Sequence, residues 1–359
     1  MKIINKFFHS KILYIFFVFL SLIIFFFSTV KSEGKAFEIN NIDISRPFEI
    51  NFNKNEVIDE GFIKAFFELI SLITKSQDKK KIHSIKLNKI KAMVETFSIK
   101  EEKFIDETYY VKLGVSFNRK KIFNYLEKKN IFPSIPLKKK IFFIPIIIDE
   151  NKNDLLIFSN NNVFKKWGDY SESFHLIDYV LPTEDLEDLN LIKSKYEIIE
   201  KYDFKEITSK YFLNDSIIAL IFKNESDLRI LSKINIQDQI ILKNQTFLKV
   251  DINDDEQINK IILELKTNYE DFWKNSNQIN TSIKLPLNIK VDNNDNLKIL
   301  NFEKTLEETD LIYEFVIKKF NKNFTFYQVT FNGTPDVFLE TMKKKNYNFD
   351  IQNKIWNLK

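Results

Sequence analysis

Residues 141–148 read IFFIPIII, a run of eight residues in which every residue except Pro145 is large and apolar. A strand that faces water on one side alternates apolar and polar side chains, whereas this run is apolar on both faces. Such a run is typical of a strand that is buried on both faces in a parallel or mixed sheet. The sequence therefore predicts an α/β fold that is organised around this strand.

On either side of this strand, predicted strands and helices alternate and divide the chain into three small mixed α/β modules. The first module is expected at 35–134, because Pro133 and Pro136 interrupt the chain after a predicted helix. The second module, at 137–250, contains the run at 141–148. The third, at 251–359, is expected to be ferredoxin-like.

The periodicity of apolar residues places the elements inside these modules. Strands are expected at 36–44, 95–105, 108–117, 216–222, 228–236, 240–250, 282–291, 311–319 and 324–332. Helices are expected at 55–76, 82–94, 118–130, 182–192, 204–212, 256–275 and 337–345. The segment between 292 and 310 is expected to begin with a polar turn.

The N-terminal segment, residues 1–34, predicts a signal peptide or a membrane anchor. Residues 12–30 form an uncharged run of 19 residues, long enough as a helix to cross the hydrocarbon core of a bilayer. Lys2, Lys6 and Lys11 precede this run, and basic residues favour the cytoplasmic side. Both alternatives place residues 35–359 outside the cytoplasmic membrane, either in the periplasm or anchored to the inner membrane.

The composition excludes several classes of protein. With no Cys, the chain has no disulfide, thiolate metal site or cysteine nucleophile. Its 5 Gly and 3 His are too few for a glycine-rich phosphate loop or a histidine-built metal cluster. Of the net charge of +4, +3 belongs to 1–34 and only +1 to 35–359, which argues against nucleic acid as a partner.

The densest acidic cluster lies in the segment PTEDLEDLNLI at 182–192 and comprises Glu184, Asp185, Glu187 and Asp188. Two carboxylates can act as a general acid and base. Acidic residues in a first helical turn also stabilise the helix dipole, and Thr183 or Glu184 is expected to cap this helix. We expect these carboxylates to cap and solvate a helix start rather than to catalyse.

Three stretches imitate calcium-binding loops, beginning at Asp149, Asp251 and Asp292. An EF-hand loop needs glycine at its sixth position and glutamate at its twelfth, and none of the three meets that requirement. All three are expected to be turns, so no metal ligand is predicted.

The two histidines of the modules, His83 and His175, fall in different modules. A histidine can act as a proton switch or a ligand, but structural or surface positions are expected for both. The chain contains no Gly-x-Ser-x-Gly motif, which a serine nucleophile elbow requires. The sequence thus predicts no catalytic residue and no cofactor.

Residues 107–131, ETYYVKLGVSFNRKKIFNYLEKKNI, resemble a strand-then-helix segment of the uncharacterised bacterial family called domain of unknown function 2066. The strand KKKIFFIPIIIDE, the region of Trp167 and the segment VLPTEDLEDLNLI at 180–192 fit the order of that family. The helix and strand at 204–222 resemble the end of a TolB amino-terminal-type domain. The resemblance implies an exported protein of Gram-negative, alphaproteobacterial envelopes, and it carries over no catalytic residue.

The expected function is therefore that of a non-enzymatic envelope protein, a scaffold or assembly factor whose partners are other envelope proteins and, through 12–30, the membrane. Two alternatives stay open. The first is a periplasmic module that binds a small ligand or glycan, which a deep aromatic-lined pocket between modules would favour. The second is a carboxylate-dependent hydrolase, which would need two acids facing across a cleft.

Overall fold

The computed structural model of the chain describes residues 37–169, 176–225, 227–237 and 239–359. Residues 37–359 form one compact unit. The apolar run at 12–30 and His175 lie outside the described residues. Within the described part of the chain, no helix is both long enough and apolar enough to cross a membrane.

The first sheet is antiparallel and has three strands in the order β1-β3-β2. Its strands are β1 (Glu38–Pro47), β2 (Val94–Ile105) and β3 (Thr108–Phe117), and its helices are α1 (Lys54–Ile73), α2 (Ser76–Lys79), α3 (Leu87–Met93) and α4 (Arg119–Glu127). The Asn53 side chain caps α1, and Asn118 caps α4 as its position before the predicted helix indicates.

Alternation along β3 decides which face of this sheet is covered. Every second residue from Tyr109 to Phe117 is buried, whereas Tyr110 and Lys112 point to the opposite face. On the covered face, α1 buries a stripe that includes Phe62, Phe66 and Leu69. The other face of the first sheet carries no layer of helices among these elements and is polar, which is why only one face needs apolar residues.

The middle sheet is mixed and contains the run at 141–148. Its strands are β4 (Lys139–Asp149), β5 (Asp154–Leu156), β6 (Ile177–Val180), β7 (Ser216–Asn224), β8 (Asp227–Ile236) and β9 (Gln239–Phe247). Its helices are α5 (Asn162–Lys166), α6 (Leu186–Ser194), α7 (Lys205–Thr208) and α8 (Asp255–Ser276). The strand order is β5-β4-β7-β8-β9, with β6 also paired to β4.

Burial on both sides of β4 is confirmed, and so is the α/β fold class. β4 runs parallel to β6 and to β7 and antiparallel to β5. Ile141, Phe143 and Ile147 point into the core layer beneath α8, whereas Ile144 and Ile146 point into the layer that packs against α6 and α7. The strand is therefore covered by helices from both faces.

Helix α8 packs on the middle sheet. Ile258, Ile262, Leu265 and Trp273 belong to the same buried cluster as Ile141 in β4. The sequence predicts that these residues belong to the third module, because the predicted last strand of the middle module ends at 250. The apolar stripe of α8 instead closes one face of the middle sheet, since no other long helix among the described residues covers that face.

The third sheet has five strands in the order β11-β12-β10-β14-β13. Its strands are β10 (Leu285–Asp292), β11 (Ile312–Phe320), β12 (Phe324–Phe331), β13 (Phe349–Asp350) and β14 (Trp356–Leu358), and its helices are α9 (Asn296–Glu308) and α10 (Pro335–Lys344). The turn expected after β10 leads directly into α9, a helix that the sequence-based assignment misses. Phe302 and Leu306 of α9 are fully buried against the sheet.

The first and third sheets share one topology. In each, a strand, a helical crossover, an antiparallel hairpin and a further helix follow in that order, and the last hairpin strand lies between the other two. β1, β2 and β3 thus correspond to β10, β11 and β12. In the ferredoxin-like arrangement a fourth strand runs antiparallel to the first, whereas β14 runs parallel to β10. Two similar modules therefore flank the middle sheet along the chain.

Candidate functional site

The acidic cluster begins a helix, but its four carboxylates have different surroundings. Asp185, not Thr183 or Glu184, caps α6 by accepting a hydrogen bond from the backbone N–H of Glu187. Glu184 accepts a hydrogen bond from the backbone of Ser159.

Asp188 is buried, which the expected solvated face does not account for. Its carboxylate lies 2.7 Å from the ammonium of Lys210, and this hydrogen bond raises the pKa of Lys210. Asp188 therefore ties α6 to the turn around Lys210 beneath the middle sheet.

The three stretches that imitate calcium loops form turns and helix caps. Asp251 and Asp292 accept hydrogen bonds from backbone N–H groups two residues further on. Asp254 and Asp295 cap α8 and α9. Among the described residues, no group of three or more His, Asp or Glu side chains could hold a metal ion. The expectation that these stretches are turns is confirmed.

His83 is exposed beside a small cavity of about 240 Å³ in the first module. Its ring lies 6.0 Å from that of Phe67, and Ile70, Ser71 and Lys79 complete the lining. The surface position expected for this histidine is confirmed.

A row of buried charges on α8 is the feature that the sequence-based reading misses. Lys266, Glu270 and Lys274 follow one another at intervals of four residues and are each at least 95% buried. Glu270 accepts hydrogen bonds of 2.8 Å from the backbone N–H groups of Leu176 and Ile177. The intervals of four place the row on one helix face, but the alternating charges resemble a solvated face.

The two lysines at the ends of this row donate hydrogen bonds to backbone carbonyl groups. Lys266 donates to the carbonyl of Trp167, and Lys274 donates to that of Ser71 in the first module. Burial lowers the pKa of Lys274. Burial also raises the pKa of Tyr179, and the Glu270 carboxylate adds to that effect. The row therefore holds loops and the first module against the middle sheet.

The first and third modules meet at α4. The Arg119 guanidinium donates to the Asp310 carboxylate at 3.2 Å and to the carbonyl of Ile312 at 2.9 Å. Beside it, the ammonium groups of Lys120 and Lys284 lie 4.8 and 4.4 Å from the centroid of the Tyr313 ring. These two cation–π contacts stabilise the position of the tyrosine at the junction.

Each of the three sheets ends in a strand with an uncovered edge. β2, β9 and β11 are the last strands of their sheets, and within the described residues no strand pairs with their outer edges. All residues of β2 after Val94 are exposed. Exposed apolar side chains occur on all three, including Phe104 (57%), Ile240 (74%) and Phe320 (77%). Long apolar edge strands are unpaired templates for strand addition.

The face of the first sheet that α1 covers is called its inner face, and the opposite face its outer face. On the inner face, β2 carries a row of aromatic side chains that α1 covers only in part. Phe97 packs edge-on against Phe62 with ring centroids 5.1 Å apart, and Phe104 packs against Phe48 at 4.8 Å. Ile99, between them, is 39% exposed. Because α1 packs over β1 and β3, these side chains project beyond the helix layer toward the open edge.

Charges on β2 are held by neighbours inside the same module. The Lys54 ammonium and the Tyr109 hydroxyl donate to the Glu102 carboxylate at 2.7 and 3.0 Å, and these hydrogen bonds lower its pKa. Lys103 pairs with Glu101 and lowers the pKa of that carboxyl. Charged groups on this edge therefore sit at fixed positions along the strand.

A cavity of about 460 Å³ opens on the polar outer face of the first sheet. Asp43, Glu101, Lys103, Tyr110 and Lys112 line it. Ile44, Ile105 and Val111 complete the lining, which comes from one module, in contrast to the aromatic-lined pocket between modules that ligand binding would favour.

No protein-family model matches the chain, and no curated protein matches it. The resemblance of 107–131 and 180–192 to the uncharacterised family, and of 204–222 to a TolB amino-terminal-type domain, stays a prediction.

Proposed function

We propose that the chain is an exported protein of the cell envelope that acts by contact, as a scaffold or assembly factor for other envelope proteins. The observation that carries this proposal is that three sheets in one compact unit each end in an exposed edge strand with apolar side chains. An extended segment of a partner can add to such an edge, with backbone hydrogen bonds supplying affinity and side chains supplying specificity.

Two of these edges lie far apart in the sequence and differ in the distribution of their charged residues, which suits more than one partner. β9 carries one basic residue, Lys243, beside Ile240 and Leu242. β11 carries Lys318 and Lys319 beside exposed apolar residues, and its single acid, Glu314, is paired with Lys120 of α4. We expect β11 to favour an acidic strand and β9 an apolar one.

Location is tested by fusing alkaline phosphatase after residue 60, so that the apolar run and the start of the first module precede the enzyme. An active fusion supports export, because this phosphatase folds only outside the cytoplasm. An inactive phosphatase together with an active cytoplasmic reporter at the same position would contradict it.

Contact is tested by placing a photo-crosslinking amino acid at Leu242 of β9, at Val316 of β11 and, as a matched control, at Glu187 of α6. All three side chains are exposed. We expect discrete adducts of defined mass from 242 and 316 and none from 187. Ile240→Lys should remove the adduct at 242 and leave that at 316. Equal labelling at all three positions would contradict strand-edge recognition.

A further inference from the structure

We propose that β2 pairs with β2 of a second copy of this chain, so that two first sheets join into one continuous antiparallel sheet. The inference rests on the proposed contact function, whose other edges, β9 and β11, stay free for different partners. A two-fold interface must be complementary to itself, because each residue meets the partner's copy of its own strand. The alternation of inner-face and outer-face residues along β2 limits the registers that meet this requirement to two.

A bulge at Lys100 restricts where the two-fold axis can lie. Ile99 pairs with Leu113 and Glu101 with Lys112, so Lys100 is the additional residue that has no partner on β3. Before the bulge the odd-numbered residues Phe97 and Ile99 point to the inner face; after it the even-numbered residues do. Opposed residues of antiparallel strands share a face, so the axis must pass beside the bulge.

Two registers satisfy this condition, and side-chain chemistry separates them. In the first, Lys100 lies opposite Glu101 of the second copy, and Phe97 lies opposite Phe104. In the second, shifted by two residues, Phe97 lies opposite Glu102 and Lys100 lies opposite Ile99. Both registers set an apolar residue opposite Glu102, Ile99 in the first and Phe97 in the second, so that contact does not separate them. Only the first also forms an opposite-charge pair and an aromatic pair, which stabilise cross-strand positions. The first register is therefore the one we infer.

This register also completes the aromatic row. Within one copy, Phe48 contacts Phe104 and Phe62 contacts Phe97. When Phe104 of one copy lies opposite Phe97 of the other, the Phe48–Phe104 pair of the first copy and the Phe62–Phe97 pair of the second form one continuous aromatic row. The two-fold symmetry produces a second, identical row. The half-exposed rings of Phe97 and Phe104 are then covered by each other.

The other two edges lack this self-complementarity. β9 holds a single charged residue, Lys243, so charge does not select a register. β11 begins against α4, and its charges after Glu314 are Lys318 and Lys319. Self-pairing of β11 across its exposed half would bring like charges together.

The test uses the absence of cysteine from the chain, so that every disulfide reports on an introduced residue. In the inferred register, Ser98 lies opposite Lys103 of the second copy, on the outer face. The full-length variants Ser98→Cys and Lys103→Cys are purified separately in mild detergent, mixed and oxidised. We expect a disulfide-linked dimer containing one chain of each variant, at least tenfold more abundant than the dimer either variant forms alone.

The alternative register supplies a matched control, because it would place Thr96 opposite Lys103. A mixture of Thr96→Cys with Lys103→Cys should therefore crosslink poorly. Preferential crosslinking of that pair would overturn the inferred register. Association through residues 12–30 does not imitate the expected result, since it does not select Ser98 with Lys103 over Thr96 with Lys103.

A charge exchange tests the interface without cysteines. Glu101→Lys or Lys100→Glu alone opposes like charges twice across the axis, and each should raise the dimer dissociation constant about tenfold. The double variant restores both contacts and should restore dimerisation. A monomer of the unmodified chain in sedimentation experiments up to about 100 μM, with no selective crosslinking, overturns the inference. Adducts at Leu242 and Val316 in that case would leave the proposed contact function standing.

Discussion

Arg119 joins the first module to the third, beside the contacts that Lys120 and Lys284 make with Tyr313. Its side chain is only 20% exposed, and it donates to Asp310 and to the carbonyl groups of Glu307 and Ile312. Burial lowers the pKa of Arg119, but a guanidinium remains protonated in proteins, so the charge persists. The group therefore depends on these acceptors to replace the water that it loses.

We predict that Arg119→Ala lowers the free energy of unfolding by about 1.5–3 kcal/mol, because hydrogen bonds to a charged group are lost at a half-buried site. Urea unfolding monitored by circular dichroism measures the change. The control is Arg46→Ala, which removes an exposed pair with Glu60 and should cost less than about 1 kcal/mol. Equal losses in the two variants would contradict a special role for Arg119.

Gly61 is a second residue whose position is set by a close contact. A Cβ added there would meet Leu113 Cδ1 at 2.3 Å, and Leu113 is fully buried under α1. Glycine inside a helix is otherwise unfavourable by about 1 kcal/mol relative to alanine, so its presence indicates close packing of α1 on β3.

Gly61→Ala should destabilise the chain by about 1–2 kcal/mol, since the overpacking cost exceeds the gain in helix propensity. Thermal unfolding of both glycine variants provides the measurement. Gly168→Ala is the matched control, because an added Cβ there meets no atom within 4 Å. A more stable Gly61→Ala protein would show that Leu113 can move aside.

At the scale of single elements, the start of α6 separates a solvated acid from a buried one. Glu187 is exposed, whereas Asp188 is buried and paired with Lys210. Asp188→Asn should lower the free energy of unfolding by about 1–2 kcal/mol, because the charged hydrogen bond is lost. Glu187→Gln should have a smaller effect. Denaturant midpoints of the two single variants decide this, and a larger loss in Glu187→Gln would contradict the assignment.

The hydrogen bond between Glu102 of β2 and Lys54 of α1 predicts that the stability of the fold depends on pH. Hydrogen bonds from Lys54 and Tyr109 lower the pKa of Glu102 in the folded chain below its ordinary value of 4.5. A carboxyl group whose pKa is lower in the folded than in the unfolded chain stabilises the fold at every pH above its unfolded-state pKa. This contribution is lost as the pH falls from the unfolded-state pKa through the folded-state pKa. Glu102→Gln should therefore be less stable than the unmodified chain at pH 7.

That difference should shrink as the pH falls below about 4.5 and vanish once Glu102 is protonated in both states. Urea midpoints of the two proteins between pH 3 and pH 7 measure it. Glu49→Gln is the control for loss of an acid at the surface of the same module, and its midpoint should track the unmodified chain. A constant offset for Glu102→Gln at all pH values would show that the carboxylate charge is not responsible.

Helices and strands with a regular pattern of apolar residues could be predicted from the sequence. Elements and sites that depend on contacts with distant segments could not. β4 follows from its unbroken apolar run, and β3 from its strict alternation. α9 was missed because its buried residues, Phe302 and Leu306, give a short stripe after a polar turn. The strand edges could not be recognised as a site, because exposure of an edge depends on the order of strands in a sheet.

The buried row on α8 was missed for a related reason. Lys266, Glu270 and Lys274 lie at intervals of four, and alternating charges at that spacing indicate a solvated helix face. Their burial depends on carbonyl and N–H groups supplied by distant segments, including Ser71. A pattern within one helix contains no information about such partners.

At the scale of the whole molecule, the first module is joined both to the middle sheet and to the third module, whose topology it shares. Lys274 connects the middle sheet to α1, and Arg119 connects α4 to β11. If two copies pair through β2, the edges β9 and β11 occur twice in the dimer. A scaffold of this form would present each docking edge in two symmetry-related positions, which increases avidity for a partner that is itself repeated.

The middle sheet should fold only with the helix that covers it. A fragment of residues 137–250 contains the strands of that sheet but lacks α8, so Ile141, Phe143 and Ile217 would face water on one side. Removing α8 uncovers the apolar layer on one face of this sheet, and a marginally stable domain does not tolerate such a loss of burial. We predict that 137–250 shows no cooperative urea transition, whereas 137–278 unfolds cooperatively with a native near-ultraviolet signal from Trp167 and Trp273.

The substitution Leu265→Asp in the longer fragment should abolish its transition, and the exposed substitution Leu263→Asp should not. A cooperative transition in 137–250 would show that the two helix layers are independent and that the boundary at 250 is the correct one.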